Sequence, residues 1–129
     1  MENKDTLRTQ HSRVGHLGAA RSGTGDNARM RMTSIALVPL TVAFMVMVLD
    51  LVSRDYNAVR SYLGHPLPAL LMLLFIGTGV LHMQIGMKTI IEDYVRGPHL
   101  KEAALTANVF FAVCAGLVCV YAVLRIGFA

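Results

Sequence analysis

The stretch "MTSIALVPLTVAFMVMVL", Met32 to Leu49, contains no Asp, Glu, Lys or Arg. An α-helix of about 20 such residues spans the ~30 Å hydrocarbon core of a bilayer. Two further intervals share this character, Ser61 to Met87 and Ala103 to Leu124. The chain has 129 residues, 54% of them hydrophobic and 16% charged, with no Trp and a mean hydropathy of +0.52. A soluble domain of this length cannot hide so much apolar surface in one core. In lipid every backbone polar group must be satisfied internally, so each interval reads as a helix. The fold class is therefore an all-α membrane protein with three transmembrane helices. A soluble bundle of three buried helices is the alternative that the lengths argue against.

Local chemistry places the boundaries. Helices are expected over about 32–52, 66–94 and 103–126, making residues 31–129 a membrane unit behind a polar tail, residues 1–30. Arg29 and Arg31 stand at one lip of the first helix; Asp50, Arg54 and Asp55 lie beyond the other. "GHPLPALL" opens the second helix, because proline is tolerated in a first turn where its missing N–H is no loss. "RGPHLKE" ends it, with Gly97 and Pro98 as breakers. Pro39 removes a hydrogen bond inside the first helix, and a local bend is expected there.

Lys and Arg orient the chain. Lys4, Arg8, Arg13, Arg21, Arg29 and Arg31 precede the first helix, and Lys88, Arg96 and Lys101 surround the second connection. Only Arg54, Arg60 and Arg125 fall on the other side. Nine against three puts the N-terminus in the cytoplasm by the positive-inside rule. The net charge of +4 reflects this asymmetry and implies no nucleic acid. The tail lacks the apolar segment of a cleavable signal, and Glu2, Asp5 and Asp26 argue against a mitochondrial transit peptide. A multi-pass protein of a bacterial inner membrane is expected, ahead of a mitochondrial one. Cys114 and Cys119 point ~140° apart on a helix. They are expected to be buried free thiols acting as small apolar residues.

The unusual residue is His82, in "HMQIGMKTIIEDY", His82 to Tyr94. On a helix it shares one meridian with Gly86, Thr89 and Asp93, within about 40°, and Thr78 joins one turn earlier. An intramembrane histidine is costly unless something satisfies it. Three readings are open: a hydrogen bond to another helix, a proton relay, or a metal or haem ligand. Gly77, Gly79 and Gly86 suit close helix packing, and equally the approach of a flat macrocycle. His65 and His99 sit at helix ends, and His11 and His16 in the tail. If haem is bound, a partner subunit must therefore supply the second axial imidazole.

His82 precedes Asp93 by eleven residues, ~16 Å of helix, which places it near the bilayer midplane if Asp93 and Tyr94 mark the interface. Tyr94 reads equally as an interfacial anchor and Glu92 and Asp93 as solvated helix-end acids. Acids at a helix C-terminus oppose the dipole, so a compensating cation or a protonic role is expected.

The order His82, Gly86, Asp93, Tyr94 in "HMQIGMKTIIEDYV" resembles the second-helix signature of the D-type hydrophobic membrane anchor of succinate dehydrogenase, respiratory complex II. "RMTSIALVPL" is similar to that family's Arg-x-Thr-Ala-Ile-Ala-x-x-Pro-Leu entry to the first helix, and "GHLGAARSGTG" agrees before it. The resemblance covers roughly Gly15 to Val95. The third helix agrees only in position and hydrophobicity, and "GDNAR" replaces the histidine or aromatic residues that many relatives carry ahead of the arginine.

The resemblance implies half of a heterodimeric anchor bundle, with His82 as one axial ligand of haem b shared with a C-type cytochrome b subunit. It implies Arg31 near a haem propionate, Tyr94 on a ubiquinone carbonyl, and Asp93 in the same region, supplying protons. Succinate oxidation needs flavin and iron–sulfur centres, and the chain has neither a dinucleotide-binding glycine motif nor a cysteine cluster. A flavoprotein and an iron–sulfur subunit are the implied partners, with membrane lipid around all. The chain is then a subunit of succinate:quinone oxidoreductase, serving respiratory electron transfer and the tricarboxylic acid cycle, with no dehydrogenase activity of its own. The alternatives are a haem-free structural anchor and a proton-relay subunit of a membrane complex.

Overall fold

A computed structural model of the chain describes residues 19–128, with side chains from Thr24. The expectations resting on Lys4, Arg8, Arg13, His11 and His16, and on the side chain of Arg21, lie outside the described residues. The described residues form α1 (Ala19–Leu51), α2 (Tyr56–Gly64), α3 (Pro66–Tyr94) and α4 (Pro98–Phe128), without a strand among them. α1, α3 and α4 are each long and apolar enough to cross a membrane.

Two helices start earlier than their apolar runs. α1 begins at Ala19, inside the segment expected to be a polar tail. Once an apolar run has nucleated a helix, each added residue gains a hydrogen bond for fixing one residue, where nucleation fixes three for the first. Ion pairing by Asp26 then holds the extension against α3. α4 begins at Pro98, which serves as a first-turn proline instead of a spacer before the helix. Pro66 does the same for α3, as expected.

α2 was not anticipated. Its Ala58, Val59, Tyr62 and Leu63 form one half-buried face against the adjoining ends of α3 and α4. Arg54 closes the turn before it, donating to the Asp50 carbonyl (3.1 Å) and to both Asp50 carboxylate oxygens (2.9 Å each). That bond raises the guanidinium's pKa above its ordinary value. His65, extended at φ −71° and ψ 144°, both ends α2 and leads into α3.

α3 is the hub, with α1 on one side and α4 on the other. α1 and α3 meet residue for residue in opposite order: Asp26 with Lys88, Met30 with Gly86, Thr33 with His82, Phe44 with Phe75. Antiparallel helices require this falling register. The Phe44 and Phe75 rings stack with centroids 4.6 Å apart. Against α4, Val80 fills the space over Gly116, whose added Cβ would lie 3.6 Å from Val80 Cγ1. Ala112 is 3% exposed beside this contact, and small residues let the backbones close. Asn108, buried, donates from Nδ2 to the Gln84 carbonyl at 2.9 Å. An amide in hydrocarbon needs such a partner.

Very little else is buried: Met47, Ile85, Ile91 and Ala112 are the buried apolar residues other than Pro68 among those described. Large side chains such as Val38, Leu70, Phe110 and Leu117 cover the outside. Lipid tails are as apolar as leucine, so such a surface carries no penalty in a bilayer. Cys114 and Cys119 follow this rule. They are free, as expected, but exposed instead of buried, because three helices in a row have no interior wide enough to enclose both faces of α4.

Candidate functional site

His82 lies on the α1-facing side of α3, half-buried. Its Nδ1 is 3.0 Å from Thr33 Oγ1 on α1. Thr33 Oγ1 also lies 2.9 Å from the Arg29 carbonyl and 3.0 Å from the Met30 carbonyl, the back-bonding that a threonine inside a helix makes. Nε2 has no hydrogen-bond partner among the described residues, yet no side-chain nitrogen is sealed without one. The second ring nitrogen is therefore neither partnered nor fully enclosed among the described residues.

The glycines flanking His82 differ in use. A Cβ on Gly86 would come within 3.2 Å of Met30 Cε, so this glycine admits α1. Added Cβ atoms on Gly77 and Gly79 would meet nothing within 4 Å. Gly79, about 60° round α3 from His82, thus leaves bare backbone beside the histidine with room for a flat macrocycle or a neighbouring helix, whereas Gly77 points about 140° away. Among the described residues no cluster of three or more His, Cys, Asp or Glu side chains is poised to hold a metal ion. A haem iron shared with a partner subunit would ask this chain for one imidazole only, and His82 is a donor of that kind.

Beyond His82, the α1–α3 groove widens to about 530 Å³ between Asp26, Arg29, Met32, Thr33, Gln84 and Lys88. Lys88 Nζ donates to Asp26, and Arg29 (3.9 Å from Asp26) and Glu92 (3.9 Å from Lys88) extend the chain of charges. This network went unread in the sequence, where Lys88 counted only toward orientation and Asp26 only against a transit peptide. Charges sixty-two positions apart carry no local signal.

The acids at the end of α3 find part of the compensation they required. Lys101 Nζ donates to the Glu92 carbonyl at 2.8 Å, a cation placed on the negative end of the helix dipole. Asp93 is exposed and has no hydrogen bond or ion pair among the described residues. Tyr94, the last residue of α3, is 80% exposed. Arg31 is also exposed and unpaired among the described residues. It lies two positions before Thr33, about 160° round α1 from the side that meets α3. The structure thus brings Thr33, not Arg31, to His82, and it leaves Arg31, Asp93 and Tyr94 on the outer surface of the chain.

Comparison with known proteins gives the chain its family. The family described as succinate dehydrogenase/fumarate reductase transmembrane subunit matches residues 5–123. The succinate dehydrogenase hydrophobic membrane anchor subunit of Paracoccus denitrificans is 33% identical over 111 residues, 86% of this chain and 85% of that protein. The protein of the same name from Rickettsia bellii (strain RML369-C) is 25% identical over 107 residues, 83% of this chain and 86% of its own length. No solved structure matches significantly. Three membrane-length helices, a family match over most of the chain and two relatives covered over most of their length agree: the chain belongs to the succinate dehydrogenase/fumarate reductase transmembrane subunit family, as one of its hydrophobic membrane anchors.

Proposed function

We propose that the chain anchors a succinate:ubiquinone oxidoreductase in a bacterial inner membrane, N-terminus in the cytoplasm, and contributes one axial ligand to haem b and one wall of a ubiquinone-reduction site. The observation that carries this reading is the His82 ring, with Nδ1 engaged by Thr33 and Nε2 unpartnered and not fully enclosed among the described residues. A haem there would supply a one-electron store between the iron–sulfur subunit and the quinone. His82 would hold it by Nε2, and the bare backbone at Gly79 would admit its plane or the helix of the C-type partner. At the end of α3, the Tyr94 hydroxyl would orient a quinone carbonyl, and the Asp93 carboxylate would carry protons from water to it. The flavoprotein and iron–sulfur subunits would dock on the same cytoplasmic side.

The test is the ligand count. Alone, the chain offers one midplane imidazole and should bind haem in an incomplete form that carbon monoxide can reach. Co-expressed with its C-type partner, it should give a low-spin bis-histidine spectrum. A complete low-spin haem in the isolated chain overturns the count.

A second reading draws on the same hydrogen bond. Thr33 and His82 could serve only to pin α1 to α3 in a haem-free anchor. In that case the co-expressed pair shows no haem at all, and His82 is an interhelical polar contact worth about 0.6 kcal/mol.

Arg31 has two possible jobs, topology and a propionate contact. Arg31→Lys keeps the charge but loses the planar fork that matches a carboxylate. We expect normal insertion and a shifted haem potential. Arg29→Lys is the matched comparison, because Arg29 is the arginine that lines the groove beside Thr33. A shift with Arg29→Lys alone transfers the propionate role to that residue.

A further inference from the structure

We infer that Thr33 is a positioning residue for His82: its hydroxyl fixes the imidazole in the Nδ1–H tautomer and leaves the Nε2 lone pair free to serve as a metal ligand. This rests on the proposed role of His82 as an axial ligand, and the experiment below separates the two.

Proton counting around one oxygen carries the argument. Thr33 Oγ1 has three neighbours at hydrogen-bond distance: the Arg29 carbonyl (2.9 Å), the Met30 carbonyl (3.0 Å) and His82 Nδ1 (3.0 Å). A hydroxyl has a single proton to donate, and a carbonyl can only accept. The Met30 carbonyl already accepts the Ser34 hydroxyl at 2.8 Å, so the Arg29 carbonyl is the less contested acceptor for Thr33. With its proton pointing back along α1, Oγ1 turns a lone pair toward α3. Nδ1 must then be the donor, and Nε2 keeps its own lone pair. The reverse arrangement puts the ring proton on Nε2, which has no acceptor among the described residues. In a membrane interior such an orphan is costly.

The relay Nδ1–H to Oγ1–H to carbonyl does more than choose a tautomer. Each bond polarises the next, so the ring gains electron density that it can pass to a metal at Nε2. The geometry is held on both flanks. Lys88 and Asp26 tie the helices about two turns to one side, and the Phe44–Phe75 stack ties them on the other. Met30 against Gly86 keeps α1 close between them.

The test uses the assembled complex carrying Thr33→Val, Thr33→Ala or Thr33→Ser, with His82→Ala beside them. Readouts are haem retained after purification, the midpoint potential, and the highest g-value of the ferric haem in electron paramagnetic resonance. Val keeps the shape and Ala removes it; both lose the hydroxyl. Both should retain about tenfold less haem against a competing apo-protein, the lower end for loss of a partner behind a metal ligand. Both should favour the ferrous form by up to about tenfold, which is 59 mV upward for one electron, and shift the g-value as the ring turns. Ser keeps the hydroxyl and should match the parent in all three. Val and Ala complexes with unshifted potential and g-value, where His82→Ala loses the low-spin signal, overturn the inference and leave the ligand reading standing. A low-spin signal that survives His82→Ala overturns the ligand reading itself. If Val and Ala both fail to assemble, Ser decides: parental values support the hydroxyl's role, and a displaced potential overturns it.

Discussion

His82→Ala should remove the low-spin haem spectrum expected of the assembled complex. The effect is all-or-none, because this chain has no other described imidazole on the transmembrane part of α3 to substitute; His65 and His99 lie at helix ends. Two neutral imidazoles create the strong axial field, and one alone leaves a position that water or carbon monoxide fills. The scaffold should tolerate the loss better than haem binding would. Thr33 keeps its bond to the Arg29 carbonyl when His82 is gone, so no buried hydroxyl is orphaned. The Met30 side chain, already against Gly86, is unbranched and flexible enough to lean into part of the space. Assembly should therefore weaken by about 1–2 kcal/mol, ordinary for a partly buried truncation. Difference spectra, reduced minus oxidised, compared with subunit stoichiometry, separate the two effects. An unchanged Soret and α-band would return His82 to the pinning role alone.

Tyr94→Phe should lower quinone reductase activity roughly 5- to 150-fold, the equivalent of an oriented hydrogen bond worth about 1–3 kcal/mol. The ring stays, and the phenol makes no contact that the fold depends on. At 80% exposure on the final residue of α3, its hydroxyl has no partner among the described residues. Haem content and succinate oxidation by an artificial acceptor should accordingly hold at parental levels. Steady-state kinetics with a short-chain ubiquinone and with a dye, on the same preparation, give both rates. Equal quinone kinetics in parent and variant would leave Tyr94 as an interfacial anchor, the position its exposure alone would suit.

The charge-free run from Met32 to Leu49 and its two counterparts settle the class because bilayer thickness is a hard length, and backbone groups in lipid have no alternative partner. Pro66 was legible as the start of α3 for a similarly local reason, the first-turn tolerance of proline. α2 was missed because nine residues with an i, i+4 apolar face are too few to stand out from a connection. The Asp93 and Tyr94 positions were readable from spacing, but spacing could not say what covers them.

His82 shows where reading a linear string stops. Its burial in an apolar run marks it as a residue that needs a partner, whatever that partner is. Which nitrogen is engaged depends on a threonine forty-nine positions earlier, brought opposite by the antiparallel register of α1 and α3. Arg31 and Arg29 differ by two positions in sequence and by most of a half-turn in direction, so only the packed helix tells which of them faces α3. The Asp26–Lys88 pair and the Asn108 bond to the Gln84 carbonyl belong to the same class. By itself the sequence determined that the chain crosses a membrane three times and that His82 is its exceptional residue, since both follow from the cost of polar groups in hydrocarbon. The tertiary structure decided which groups satisfy that cost, because hydrogen bonds between helices depend on register and azimuth, and neither is written along a single helix.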